Sequence, residues 1–353
     1  MHVSVEFRTI LGDIPNKVKV INAFMGTMRP LINGGSVWIM RDGYRGGAVL
    51  AEVVRSGFAE SVHRGSVVVL DAGGAPVAVR GDGRGPVFPR SSNKPLQGVG
   101  MLRSGLRLDD ADLALVCASH WGEDVHVNRV EELLDAHGFG GADLHCPPDL
   151  PLGPTPREEA LRAGQAPTRT RMNCSGKHTG MLLTCQAAGW TTDGYWEPAH
   201  PLQRQLRATA EELTGEPVAA VGVDGCGAPV LAFSLTGVAQ AFLRLVHAAP
   251  GSFERQVADA MRAHPGMVAG AGAPDTLLMT QVPGLLAKGG AEGFAAVAVP
   301  GAGAIALKID DGNHRAIPAV LSAALGTLGV SWTAPPSPVL GAGETVGELR
   351  ATW

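Results

Sequence analysis

Strand-like segments lie near both ends of this chain, and helix-like segments fill the stretch between them. The strand-like segments, rich in valine and other β-formers, are residues 49–54, 66–71, 77–80, 294–299 and 304–309. The Gly73-Gly74 pair before the third segment is typical of a hairpin turn, because glycine supplies the positive φ that such turns need. We therefore predict an α/β (α+β) fold, in which helices pack on a mainly antiparallel sheet built from both ends of the chain.

Helix start and stop signals mark the middle of the chain and one late segment. The predicted helices are residues 125–137, 156–164, 174–189, 201–215, 229–247 and 317–328. They begin near proline, aspartate or asparagine, or end at glycine, as helix caps favour. The proline-rich stretches 146–156 and 334–338 are predicted to be surface loops rather than linkers between domains.

The first 45 residues do not join this pattern. They contain a Gly34-Gly35 pair and, at Met40, a second possible start of translation. We predict that residues 1–45 are a poorly ordered N-terminal extension and that residues 46–353 form a single domain. A short docking arm is the alternative interpretation of the extension.

Charge and composition argue against several classes of partner. The chain has 29 basic and 33 acidic residues, a formal net charge of −4, and no basic run with interleaved aromatic residues, so we expect no nucleic-acid partner. No apolar run is long enough to span a membrane. The five cysteines are odd in number and widely spread, and the first residues do not resemble a secretory signal. We therefore expect a reduced, cytoplasmic location.

Lysine is scarce, and its positions are not scattered. Only six of the 29 basic residues are lysines, and apart from Lys17 and Lys19 they are Lys94, Lys177, Lys288 and Lys308. An amine can lose its proton on burial and then serve as a base or a metal ligand, whereas a guanidinium stays protonated. A chain that avoids lysine elsewhere can retain it where the amine is needed. The alternative is chance.

Ser91 and Lys94 form the first candidate site, in the segment Ser91-Ser92-Asn93-Lys94-Pro95. If a helix begins at this segment, side chains three residues apart lie on one face, and the amine can reach the hydroxyl. A desolvated neutral lysine can then activate the serine as a nucleophile. A surface serine beside a solvated lysine is the alternative interpretation.

Two further residues follow in the order that serine β-lactamases and penicillin-binding proteins use. These enzymes carry S-x-x-K, then a second serine, then a lysine on a late strand. Here Ser119 and Lys288 take the second and third places. The usual Ser or Thr after the last lysine is replaced by Gly289, and Ser119 lacks an asparagine two positions later, so only a distant relation to that fold is implied.

Cys174-x-x-Lys177 forms the second candidate site, with Cys226 as a possible third member. Thiolates bind zinc well, and residues three apart on a helix can share one ion. From spacing alone, buried cysteines that act as small apolar residues are the alternative. A third possibility makes Cys174 or Cys226 a nucleophile with His178 as its base.

Taken together, six short segments resemble the landmarks of the class 3, or rhizobial-type, L-asparaginases, also called the asparaginase II family. The segments are 90–94 (RSSNK), 118–123 (ASHWGE), 173–178 (NCSGKH), 224–229 (DGCGAP), 288–293 (KGGAEG) and 308–313 (KIDDGN). They occur in the family's order from about residue 48 to residue 330. Residues 1–45 and the tail after Val330 have no counterpart.

The resemblance implies a fold related to serine β-lactamases and glutaminases, and a single catalytic domain that hydrolyses L-asparagine to L-aspartate and ammonia. The residues that match the family's catalytic and metal-binding residues are Ser91 and Lys94 as nucleophile and base, Ser119 and Lys288 as second serine and lysine, and Cys174, Lys177 and Cys226 as ligands of one zinc ion. In the family this zinc supports substrate binding and does not generate the nucleophile. A homodimer is also implied.

Arg90 and Asp224 are our candidates for binding the α-carboxylate and α-amino groups of the substrate. A surface ion pair and a turn aspartate are the alternatives for these two residues. Two other functions stay open: hydrolysis of another amide, such as glutamine, a β-lactam or a peptide-like amide, and a zinc-binding protein without catalytic activity.

Overall fold

The computed structural model describes residues 31–32, 35–36 and 43–353 of the chain. The chain divides into two compact units, Met1–Asp42 and Gly43–Trp353. In the first unit, the described part is an antiparallel pair of strands, β1 (Leu31–Ile32) and β2 (Gly35–Ser36). The predicted disorder of the extension, and the alternative start at Met40, concern residues that lie almost entirely outside the described ones.

The second unit contains eleven strands among its described residues. They are β3 (Ala48–Arg55), β4 (Phe58–Asp71), β5 (Pro76–Arg80), β6 (Pro86–Val87), β7 (Ala220–Val223), β8 (Pro229–Ser234), β9 (Leu286–Gly290), β10 (Phe294–Val299), β11 (Gly303–Ile309), β12 (Pro338–Gly341) and β13 (Glu344–Ala351).

Eleven α-helices lie between or beside these strands in the described part of the chain. They are α1 (Lys94–Arg103), α2 (Asp110–Val116), α3 (Asp124–Ala136), α4 (Pro154–Arg162), α5 (Ser175–Ala188), α6 (Pro201–Thr214), α7 (Leu235–His247), α8 (Phe253–Ala263), α9 (Pro265–Val268), α10 (Pro274–Gln281) and α11 (Ile317–Thr327). None of these helices is both long and apolar enough to cross a membrane.

The main sheet has eight strands and is antiparallel at every pairing. Its order is β12-β13-β3-β4-β11-β10-β9, and β5 pairs with the second half of β4. Strands from the two ends of the unit therefore alternate in one sheet. The predicted fold class, a mainly antiparallel sheet with packed helices, is confirmed.

Helices cover both faces of the central strands. Every residue of β10, and nearly every residue of β11, is buried, which requires cover on both sides. Helix α7 packs on β4, β10 and β11, while α11 packs on β3, β11 and β13. The edge strand β9 contacts α8 and α10.

The predicted helix over residues 229–247 is wrong in its first third. Pro229–Ser234 is strand β8, buried at all six residues between β6 and β7 in a second, three-stranded sheet. Helix α7 begins only at Leu235, where the Ser234 hydroxyl accepts a hydrogen bond from the Gly237 N–H. A short apolar run fits a buried strand as well as a helix, and here partner strands on both sides decide the outcome.

The end of the chain also differs from the prediction. Residues 334–338 lead into the β12–β13 hairpin, which was not predicted from the sequence. Its strands are largely exposed and contain glycine, glutamate and threonine, so they lack the strong apolar alternation that marks a strand.

Candidate active site

Ser91 lies in a tight turn that leads into helix α1. Residues Arg90–Asn93 form one turn of 3-10 helix, and Arg90 has a φ of 53°, in the left-handed region. The turn packs directly on strand β9, where the Ser92 hydroxyl donates a hydrogen bond of 2.6 Å to the Lys288 carbonyl. A Cβ added to Gly290 would lie 2.2 Å from the Pro89 carbonyl oxygen. Glycine at position 290 therefore allows the turn to approach the strand.

Lys94 is the first residue of α1, and its side chain is only 2% exposed. Its Nζ donates hydrogen bonds to the Ala118 carbonyl and to the Ser119 hydroxyl, the latter at 3.1 Å. These bonds join Lys94 to the second serine. Ser91 and Lys94 both line one small polar recess, although the described hydrogen bonds of the amine go to residues 118 and 119 and not to the Ser91 hydroxyl.

Lys288 lies on β9 and is 1% exposed. Its Nζ donates to the Gly289 carbonyl at 2.8 Å and lies 3.4 Å from a carboxylate oxygen of Asp275. The same oxygen accepts the Gly289 N–H at 2.8 Å. Burial lowers the pKa of Lys288; the Asp275 carboxylate partly offsets this effect, and the nearby charge of Lys94 adds to it.

Asp275 was not predicted as a site residue. In the sequence it is an acidic residue after a proline at the start of α10, which indicates no more than a favourable helix terminus. Its contact with Lys288 depends on how α10 packs against the edge of β9. A buried lysine needs a partner that compensates its charge, but spacing in the sequence could not show which residue supplies it.

A cavity of about 460 Å³ connects three of the four predicted catalytic residues. Ser91, Ser119 and Lys288 line it together with Asp275. The remaining walls are largely apolar and include Trp121, Leu152, Leu278, Ile317 and Leu321. The two serines are half-buried, so their hydroxyls are accessible from this cavity.

The predicted substrate-binding residues Arg90 and Asp224 contact each other. The Arg90 Nη2 and Nε atoms lie 2.7 and 2.8 Å from one carboxylate oxygen of Asp224, and both side chains are partly exposed. They line the small polar recess together with Ser91, Lys94 and Lys177. Ser91 therefore lines both this charged recess and the larger cavity.

The three predicted metal ligands lie close together in the fold, although Cys226 is about fifty residues from the other two in the sequence. Cys174, Lys177 and Cys226 are all at least 96% buried, and the Lys177 Nζ lies 2.9 Å from the Cys226 sulfur. The neighbouring Cys174 and the Lys177 amine hold the pKa of Cys226 well below its usual value despite burial. The pKa of Cys174, whose thiol donates a hydrogen bond to the Asn173 side-chain oxygen at 2.9 Å, is raised by its interaction with Cys226 and by burial.

This set of donors fits a zinc ion. Burial favours the neutral amine of Lys177, but the sulfurs of Cys226 and Cys174 outweigh it and keep the pKa of the amine above its usual value. A metal that replaces this proton would neutralise the same buried thiolates. Among the described residues no group of three His, Cys, Asp or Glu side chains is suited to a metal, so such a site depends on Lys177 as its third donor.

His178 lies beside this cluster and is completely buried. Its Nδ1 and the Tyr195 hydroxyl are 2.8 Å apart, and burial lowers the pKa of the imidazole to about 4. The thiols of Cys174 and Cys226 are not among the described walls of the 460 Å³ cavity. His178 also contributes to the lowered pKa of Cys226, so a cysteine nucleophile with His178 as its base stays an alternative.

Residues 51–351 match the family model of L-asparaginase II. The chain belongs to the L-asparaginase II family. The resemblance drawn from the six motifs is confirmed, and all nine predicted site residues of this asparaginase-family protein fall inside the matched range. The expectation that the tail after Val330 has no counterpart in the family is wrong, because the match continues to residue 351.

Solved structures similar to this L-asparaginase II family member share little sequence with it. A β-lactamase from Mycobacterium bovis is 15% identical, with a TM-score of 0.43 over 75% of this chain and 94% of its own. A β-lactamase from Burkholderia vietnamiensis is 14% identical, with a TM-score of 0.32 over 71% and 85%. A mutant simvastatin synthase from Aspergillus terreus is 13% identical, with a TM-score of 0.34 over 70% and 86%. No curated protein matches the sequence.

Proposed function

We propose that this protein hydrolyses the side-chain amide of L-asparagine to L-aspartate and ammonia, with Ser91 as the nucleophile. Membership of the L-asparaginase II family supports the reaction. The observation that carries the mechanism is the buried amine of Lys94, bonded to the Ser119 hydroxyl at 3.1 Å beside a cavity that Ser91 and Lys288 also line. A neutral amine at this position can accept a proton from a serine hydroxyl.

The reaction proceeds through an acyl-enzyme. Lys94, in its neutral form, takes the proton of Ser91 as the Ser91 oxygen attacks the side-chain amide carbon. The carbon–nitrogen bond then breaks, and ammonia leaves only after its nitrogen has received a proton. Water hydrolyses the resulting ester, releases aspartate and restores the Ser91 hydroxyl.

Ser119 is positioned to pass the proton to the leaving nitrogen. Its hydroxyl accepts a hydrogen bond from Lys94 and lines the same cavity as Lys288. The lowered pKa of Lys288 brings proton transfer from its ammonium group closer to neutral pH than for a solvated lysine. Lys288 therefore donates the proton that replaces the one Ser119 gives to the leaving nitrogen.

Arg90 and Asp224 bind the charged end of the substrate. The α-carboxylate pairs with the guanidinium and the α-ammonium with the carboxylate, so that the substrate enters the ion pair that the two side chains form with each other. Both side chains are partly exposed, so each can leave its ion-pair partner and bind a charged group of the substrate.

Cys174, Lys177 and Cys226 would hold one zinc ion. Bound zinc would add positive charge next to the recess that Lys177, Arg90 and Asp224 line, and so would favour an anionic carboxylate there. Metal content of the purified protein, with Cys226→Ser as the variant that removes one ligand, tests this site without reference to activity. Zinc bound equally by both proteins would contradict it.

Release of ammonia from L-asparagine and from L-glutamine tests the proposed function. We expect turnover of asparagine, and its loss by at least a thousandfold in Ser91→Ala. Ser92→Ala is the matched control for protein folding, since it removes a neighbouring hydroxyl that bonds only the β9 backbone. Undiminished ammonia release by Ser91→Ala would rule out the serine nucleophile, and stoichiometric zinc without any hydrolysis would favour the non-catalytic alternative.

The homodimer and the cytoplasmic location stay predictions. Sedimentation equilibrium of the full chain distinguishes a dimer of twice the 36.4 kDa chain mass from a monomer.

A further inference from the structure

The two spaces beside Ser91 differ in size and polarity. One is the small recess of about 10 Å³ beside the Arg90–Asp224 ion pair. The other is the cavity of about 460 Å³, which asparagine, with nine non-hydrogen atoms, would leave mostly empty. Pockets of this size in proteins usually hold larger ligands.

Most of the wall of the large cavity is apolar. Leu278 on α10 and Leu321 on α11 are 4% and 1% exposed, and Ile317 and Pro318 add apolar surface at the start of α11. Trp121 and Leu152 supply further apolar wall. The described polar side chains of the cavity are Ser91, Ser119, Asp275 and Lys288, the groups that surround the reacting amide in the proposed function, together with Asn173 and His314.

The residues that line this cavity indicate which part of a substrate would occupy it. When the charged end lies at Arg90 and Asp224, the scissile carbonyl is at Ser91, which lines both spaces. Ser119 and Lys288, which are to protonate the amide nitrogen, line the large cavity and not the recess. A substituent on the amide nitrogen would therefore extend into the apolar space.

We propose that the protein also hydrolyses N-substituted asparagines whose amide nitrogen carries an apolar alkyl or aryl group. This inference rests on the proposed function, because it uses the same nucleophile and the same proton relay. The Ser91 oxygen forms a bond to the carbonyl carbon, the carbon–nitrogen bond breaks, and the amine leaves with one proton. Water then cleaves the ester, so that the products are aspartate and the free amine.

The test compares L-asparagine with L-aspartic acid β-anilide on the purified full chain. Aspartate release is measured for both, with ammonia and aniline as the second products. We expect a kcat/KM for the anilide of at least one-tenth of that for asparagine. Asparagine hydrolysis with a lower anilide value would overturn the inference and leave the proposed function intact, whereas hydrolysis of neither substrate would defeat both.

A variant that fills the apolar space locates the binding of the aryl group. Ile317→Trp should lower the ratio of the anilide to the asparagine kcat/KM by at least tenfold, because the larger side chain at this apolar wall reduces the space for the aryl group. Leu161→Trp, on the exposed side of α4, is the control and should leave the ratio unchanged. Equal ratios in the wild-type protein and Ile317→Trp would contradict binding of the aryl group in this cavity. A melting temperature for each variant verifies folding.

Discussion

The lysines differ in how far their surroundings could be foreseen. Scarcity and motif order singled out Lys94, Lys177 and Lys288, and each is at most 2% exposed in the structure. Lys308 is half-buried and donates to the backbone carbonyls of Ile309 on β11 and Glu292 in the turn between β9 and β10. The sequence could not show that Asp275 accompanies Lys288, because residues from separate elements meet only through packing. Motif spacing therefore indicates which amines are unusual, and the fold decides which groups they contact.

Replacing Lys94 by arginine tests the need for an amine that can lose its proton. Lys94→Arg keeps the positive charge but cannot supply the base, so we predict a loss of asparagine turnover of roughly 10²–10⁴-fold. Lys308→Arg is the matched control and should retain near-normal activity. Steady-state kinetics of both variants measure this effect. Near-normal turnover by Lys94→Arg would show that Lys94 is not the base.

Asp275 provides a test based on pH. Its carboxylate raises the pKa of Lys288 against the effect of burial, so Asp275→Asn should lower that pKa further. If the ammonium form of Lys288 supplies the proton, activity at alkaline pH is lost once Lys288 deprotonates. We predict that the alkaline limb of the kcat profile shifts to lower pH by roughly one unit, or about 1.4 kcal/mol of lost interaction.

The control for this experiment is Asp193→Asn, which removes an exposed carboxylate elsewhere. Its pH profile should overlay that of the wild-type protein. A uniform loss of activity at every pH in Asp275→Asn, without a shift of the limb, would mean that Asp275 has only a structural role.

Among the elements, the contact between β9 and the turn that carries Ser91 depends on one glycine. Gly290 has a negative φ, so its role is to provide space and not an unusual backbone angle. A Cβ at this position would lie 2.2 Å from the Pro89 carbonyl oxygen, a backbone atom that cannot move aside as the end of a flexible side chain can. We predict that Gly290→Ala destabilises the protein by about 2–3 kcal/mol and lowers kcat through displacement of Ser91.

Gly326→Ala is the matched control, since a Cβ at this position in α11 would have no atom within 4 Å. It should be neutral or stabilise the protein by about 0.5–1 kcal/mol, because alanine favours helix. Urea unfolding and asparagine kinetics measure both effects. Equal stability of the two variants would contradict the close approach of the turn to β9.

Element types were predicted best where a periodic pattern agreed with clear end signals. Helix α6 begins at Pro201 and ends before Gly215, as predicted, because its proline and glycine occupy the start and the stop. Strand β8 was missed since its apolar run continues directly into α7. What decides such a segment is the presence of β6 and β7 on either side, and a local pattern carries no information on distant partners.

For the Gly43–Trp353 unit as a whole, the sequence supported a sheet built from both ends but not the way the sheet is closed. The predicted late strands β10 and β11 join the early strand β4 in one sheet, as expected, and β11 pairs with both β4 and β10. The unpredicted strand β13 pairs with β3 through residues such as Leu349, opposite Val53. The last strand therefore covers an edge that β3 would otherwise expose.

Because β13 pairs with β3, we predict that replacing either of two leucines of the β12–β13 hairpin lowers the stability of the protein by different amounts. Leu349 on β13 is 8% exposed and belongs to the main apolar core, whereas Leu340 on β12 is 54% exposed. Leu349→Ala should lower the free energy of unfolding by about 2–3 kcal/mol, since it leaves a cavity at the seam between the first and last strands. Leu340→Ala, the matched control, should change it by about 0.5 kcal/mol or less. Urea denaturation at constant protein concentration measures the free energy of unfolding of both variants. The two substitutions are chosen because they differ in burial at the β3–β13 pairing, so equal losses of stability would show that the hairpin does not close the core.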